Sequence, residues 1–140
     1  MQRTSAGGCG RSCESDSPPR YDTRVAGPPQ GNRFPRALRV VLRNDFLRAR
    51  REGTPRRDRF LTVRIVPNGL AHPRLGLAIG RTVGGAAVRN RVKRRLREAF
   101  RTRRDAFEAG RDYVVSAAPA AALAPFATLA DALVRLAGRR

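Results

Sequence analysis

The chain has 140 residues, a formal net charge of +19 and a hydrophobic fraction of 41%, with no tryptophan. That length predicts one domain around a small core. So large a charge opposes compaction unless anions screen it, and it is the footprint of a nucleic-acid binder. No apolar run approaches the roughly 18 residues of a membrane span, and the first residues lack the hydrophobic region of a secretory signal. A cytoplasmic protein with no membrane association is therefore expected.

Residues 1–32 are rich in Gly, Ser, Pro and Arg, with Val25 the one aliphatic side chain larger than Ala after Met1. They cannot bury enough apolar area to offset the entropy of ordering, so a disordered basic tail is expected, with a folded domain over residues 33–140. Cys9 and Cys13 lie in that tail. A structural zinc site needs four ligands, and the single histidine, His72, is far off in sequence, so the cysteines read as free thiols in a reducing compartment.

The folded part opens with "NDFLRARREG", a short helix with Asn44 as N-cap, Asp45 in its first turn and Gly53 as its stop. Phe46 and Arg50 lie one turn apart on it. "RFLTVRIV" alternates as a half-buried strand, with Leu61, Val63 and Ile65 on one face. "RLGLAIG" reads as a second strand with Leu75, Leu77 and Ile79 toward the core. Gly76, Ala78 and Gly80 on its other face leave either room for another backbone or an open groove.

After a glycine-containing turn, a helix runs to about Arg104. Its stripe Val88, Val92, Leu96, Ala99 and Phe100 is apolar, and Arg89, Arg91, Lys93, Arg94, Arg95 and Arg97 occupy the remaining face. "DYVVSAA" is a third clear strand, and Phe126, Leu129, Leu133 and Leu136 mark a last helix that Gly138 ends. This order predicts an α+β fold, a two-layer sandwich with the helices on one face of the sheet.

Lys93 is the only lysine. Codon usage in a GC-rich genome accounts for the overall choice of arginine, but not for where the arginines gather. Like charges at i and i+4, such as Arg89 with Lys93 and Lys93 with Arg97, each cost a few tenths of a kcal/mol in an isolated helix. A polyanion relieves that repulsion. Asn90 can meet a base edge or ribose, or cap the helix start, and the residue alone does not decide between them. A lipid surface would need the apolar stripe that the sheet already requires.

Catalytic signatures are missing. The acidic residues are scattered, no Ser, Cys or His constellation appears, and the glycine-containing turns lack the phosphate-loop pattern.

The block "RLGLAIGRTVGGAAVRNRVKRRLREAFR", with "NDFLRARREG", "VPNGLAHPRLG" and "DYVVSAAP" around it in order, resembles the protein subunit family of bacterial ribonuclease P. The likeness covers roughly residues 33–138. It implies about four strands and three helices with a left-handed βαβ crossover, against the usual right-handed rule. It also implies a partnership with a catalytic RNA that, with Mg²⁺ held mainly by the RNA and substrate, removes the 5′ leader from precursor tRNA. The protein would then have no active site of its own and need no protein partner.

By the same resemblance, Arg89, Asn90, Arg91, Lys93, Arg94, Arg95 and Arg97 face the catalytic RNA. A cleft containing Phe46, Arg50, Arg64, Ala78 and Gly80 receives the leader. Arg50 stands where a second aromatic residue is usual and Arg64 where tyrosine is common. Ala78 and Gly80 replace common serines, and Ala118 a common arginine. From its own position, Phe46 fits a base-stacking role and a core-packing role equally. A basic structural protein of the ribosome is the alternative, distinguished by co-purification with ribosomal RNA.

Overall fold

The computed structural model describes residues 34–138. The tail expected at residues 1–32, with Cys9 and Cys13, lies outside them. In chain order the elements are α1 (Arg43–Glu52), β1 (Thr54–Arg57), β2 (Leu61–Pro67), β3 (Arg74–Leu77), α2 (Ala86–Thr102), β4 (Arg111–Ala117) and α3 (Phe126–Ala137). Among the described residues the fold is α+β, as expected, with three α-helices and a mixed four-stranded sheet.

The sheet order is β1-β2-β4-β3. β1 pairs antiparallel with β2, and β2 antiparallel with β4, whereas β3 runs parallel to β4. A parallel pair needs a long crossover, and α2 supplies it. The segment before α1 extends the free side of β3, because Val40 N–H donates to the Leu75 carbonyl at 3.0 Å.

The apolar alternation of β2 survives intact: Leu61, Val63 and Ile65 are buried. Val63 pairs with Val115 and Ile65 with Tyr113, so this face continues onto β4. Val92, Leu96, Ala99 and Phe100 of α2 cover it, with Leu129, Leu133 and Leu136 of α3. A row of rings runs through this core, with centroids 5.6 Å apart for Phe34–Phe100, 4.6 Å for Phe100–Phe107 and 5.1 Å for Phe107–Tyr113. On this face α2, α3 and the sheet form the two packed layers expected of the sandwich.

Four expectations need correction. The helices do not all share one face. Ala49 of α1 packs with Val66 and Val114 in a separate small cluster, beside half-buried Phe46. Those strand residues alternate with the core-facing ones, so α1 lies across the opposite face of the sheet. Second, Asn44 is not the N-cap of α1. The helix starts at Arg43 with Leu42 as N-cap and no side-chain cap, and the Leu42 carbonyl accepts from Asp45 N–H at 3.1 Å.

Third, β3 stops at Leu77, although Ala78 N–H still donates to the Val115 carbonyl at 2.9 Å and Ile79 remains buried. Fourth, α2 ends at Thr102 and a short 3₁₀ turn, Arg104–Ala106, takes the chain onward. Residue patterning also passed over β1. "TPRR" has no apolar alternation and contains Pro55, which an edge strand tolerates because its outer N–H groups need no partner.

Candidate nucleic-acid interface

α2 begins at Ala86 with Gly85 as N-cap. Preceding Gly84 has φ 149°, a conformation that side-chain-bearing residues resist. This start places Asn90 in the second turn, exposed, and so removes the helix-capping explanation of that residue. Arg91 and Arg94 are also exposed, while Arg89, Lys93, Arg95 and Arg97 are half-buried along the flanks of the helix.

The two flanks differ. Lys93 and Arg97 line a groove whose other walls are Phe34, Arg39, Val40, Val41, Phe46, Leu75 and Leu77. It lies where α1, the segment before it and α2 converge beside β3. Phe46 reaches this place because Gly76 has no side chain: a Cβ there would sit 3.1 Å from Phe46 Cε1 and 3.0 Å from Val40 Cβ. Gly76 thus leaves room for two side chains, the Phe46 ring and Val40, rather than for another backbone. Phe46 packs on the sheet and still presents a surface to the groove, so its two readings are compatible.

Arg39 is a groove residue that sequence patterning missed. Its guanidinium lies 5.1 Å from the Phe34 ring centroid and donates to the Phe34 carbonyl at 2.8 Å. Burial, and then the charge of Arg39, lower the Arg97 pKa below the usual arginine value. Two cations are held close at a cleft, an arrangement that favours an anion between them. The buried Nε of Arg89 has no hydrogen-bond partner among the described residues.

The other flank of α2 borders a second groove, lined by Phe34, Arg94, Arg95, Arg97, Glu98, Arg101 and Phe126. Arg95 is committed there, its Nη1 donating to the Ala124 carbonyl at 2.8 Å. Arg101 donates through Nε to Glu98 at 2.9 Å. That hydrogen bond, more than charge proximity, lowers the Glu98 pKa and raises that of Arg101.

Other expected cleft residues lie outside the Phe46 groove lining. Arg64 is half-buried on the α1 face, and its Nη1 donates to the Arg50 carbonyl at 3.2 Å, so it fastens the end of α1. Arg50 is exposed. Ala78 and Gly80 are exposed beyond the end of β3, with Gly80 leading into the 3₁₀ turn Arg81–Val83.

Sequence reading also missed the polar centre that holds α1. Asp112 on β4, 2% exposed, accepts from Arg74 Nε at 2.7 Å and Arg74 Nη2 at 2.5 Å. Asn68 Nδ2 donates to the same carboxylate at 2.8 Å, and Arg48 of α1 approaches it at 3.4 Å. Arg74 also reaches Asp45 of α1 at 3.3 Å. The clue was an Arg and an Asp at inward-facing strand positions, readable only once β3 and β4 were known to be neighbours.

Most of the described carboxylates are already paired with arginines. Asp45 and Asp112 are held by Arg74, Glu98 by Arg101, Asp131 by Arg103, Glu108 by Arg111 and Asp58 by Arg135. No group of three or more His, Cys, Asp or Glu side chains among the described residues is placed to hold a metal ion. Nor is any described helix long and apolar enough to cross a membrane.

Fold and surface together define a small basic α+β module, with cations along the exposed side of one helix and in the two grooves that flank it. Comparison with known proteins makes this specific. A family model described as Ribonuclease P matches residues 34–140. The Ribonuclease P protein component of Acidothermus cellulolyticus is 39% identical over 108 residues, covering 76% of this chain and 90% of the relative. That of Methylococcus capsulatus is 43% identical over 107 residues, covering 76% and 83%. The solved RNase P protein of Thermotoga maritima superposes with a TM-score of 0.66 at 32% identity, covering 71% of this chain and 94% of that one. The Staphylococcus aureus RNase P protein gives 0.65 at 26% identity, covering 71% and 91%. The chain belongs to the ribonuclease P protein family.

Proposed function

We propose that this chain is the non-catalytic RNA-binding subunit of ribonuclease P, and that it assists a catalytic RNA in removing the 5′ leader from precursor tRNA. The observation that carries the reading is the convergence of Phe46 from α1 with Lys93 and Arg97 from α2 on one groove. A ring beside cations is what a single strand requires, since bases stack on the ring while phosphates meet the charges.

The exposed side of α2, with Asn90, Arg91 and Arg94, is then free to lie against the catalytic RNA while Lys93 and Arg97 serve the strand in the groove. Each phosphate so neutralised releases counterions and reduces repulsion between RNA segments. On this reading Mg²⁺ is held by the RNA and its substrate. The protein acts on the metal requirement only by supplying fixed positive charge. The hydrolytic chemistry then belongs to the RNA. Arg50 of α1 and Arg64 beside that helix extend positive charge along the path of a longer leader.

Reconstitution tests this directly. Protein mixed with a bacterial ribonuclease P RNA at low Mg²⁺ should increase leader removal from precursor tRNA well above that of the RNA alone. Equal cleavage with and without protein overturns the reading.

A further inference from the structure

The second groove is not explained by leader binding. It lies on the α3 side of α2, and Phe34 and Arg97, which line both grooves, stand between it and the Phe46 groove. Its volume is about 480 Å³, within the range of sites for small planar ligands. One wall is Phe126, the first residue of α3, expected on the apolar stripe of that helix but 40% exposed. Phe34 on the facing side is held edge-on by Phe100 and covered by Arg39, so its position is set before any ligand arrives.

The charges around these rings are almost all of one sign. Arg94 is exposed, Arg101 is oriented by Glu98, and Glu98 is the single acid in the lining. An apolar peptide or lipid chain would leave the exposed Arg94 without a counter-charge, since Glu98 already answers Arg101. A nucleotide satisfies both chemistries, with a base for the ring and phosphates for the arginines.

We propose that this groove takes one unpaired nucleotide of the catalytic RNA, its base stacked on Phe126 and its flanking phosphates met by Arg94 and Arg101. The inference rests on the function proposed above. The catalytic RNA is the occupant, rather than the leader, because Arg94 belongs to the outer face of α2 assigned to that RNA, and the Phe34–Arg97 divide separates the groove from the leader's.

The test measures affinity of the full chain for ribonuclease P RNA over a salt series. Phe126→Ala should weaken binding about tenfold at every salt concentration, in the range known for loss of one stacked base, with an unchanged slope because no charge is removed. Phe126→Trp should restore wild-type affinity or exceed it, and a thermal melt confirms that both variants are folded. Wild-type affinity in Phe126→Ala overturns the proposal, as does a Trp variant as weak as the Ala variant. Loss of discrimination between precursor and mature tRNA, with affinity for the catalytic RNA intact, assigns the groove to the leader and overturns it too. So does wild-type self-association that Phe126→Ala abolishes, which would make a second copy the occupant. Failure of the wild-type protein itself to bind the RNA is a different result, and overturns the parent reading together with this one.

Discussion

The two faces of the sheet are built on different principles. Toward α2 and α3 the strands present Leu61, Val63, Ile65, Tyr113 and Val115 to two amphipathic helices, and dispersion and burial hold the layers. Toward α1 the buried apolar cluster among the described residues is small, Ala49, Val66 and Val114, and the helix is located by Asp112, Arg74, Asn68 and Asp45. Hydrophobic contact is non-directional, whereas a bidentate guanidinium–carboxylate pair fixes orientation. A helix set down by ion pairs need not be sunk into the sheet. α1 can therefore stand at an angle that leaves Phe46 half-buried over Gly76, with a groove beside it.

If the polar face works this way, breaking its centre should cost as much as a large cavity on the apolar face. Asp112→Ala should lose about 3–5 kcal/mol, because it removes the bidentate partner of the buried Arg74 guanidinium. Leu96→Ala on the other face should lose about 2–5 kcal/mol through a cavity. Urea unfolding measures both. A loss below about 1 kcal/mol for Asp112→Ala would mean that α1 is held by its small apolar cluster after all.

Phe46→Ala sharpens the functional side of the contrast. Affinity for leader-bearing precursor should fall by about 1–3 kcal/mol, the worth of one stacked base, with much less effect on mature tRNA. Equal losses for the two substrates would reduce Phe46 to a packing residue.

The smallest effect belongs to a contact that binds the apolar side at its rim. Arg56 of β1 donates to the Leu136 and Gly138 carbonyls at 3.1 and 2.6 Å, closing the C-terminal end of α3. Arg56→Ala should cost about 1 kcal/mol and speed amide exchange in the last turn of α3, because that turn loses its charged cap. Unchanged exchange would show that the helix end is held by packing alone.

Elements whose partners lie nearby in sequence, or whose pattern is strictly periodic, could be read from residues. Leu61, Val63 and Ile65 announce a strand whatever they pair with, because period two is intrinsic to the extended chain. Val92, Leu96, Ala99 and Phe100 announce the buried side of α2 for the corresponding helical reason, and the outward arginines follow by exclusion. β1 was illegible because an exposed edge strand needs no apolar alternation; only the family resemblance supplied its count.

The side of the sheet taken by α1 was likewise illegible, since "NDFLRARREG" carries too little apolar surface to declare a face. Membership in a charged, RNA-associated family was therefore within reach of composition and one motif block. What tertiary structure alone decided is which of those charges are already committed. Arg74, Arg95 and Arg56 are bound to protein groups, whereas Lys93, Arg97 and Arg94 are set beside the rings of Phe46 and Phe126 at the two grooves. In sequence all six are equivalent cations. Only the position of a carboxylate, a carbonyl or a ring across the fold makes one a brace and leaves another facing an open groove.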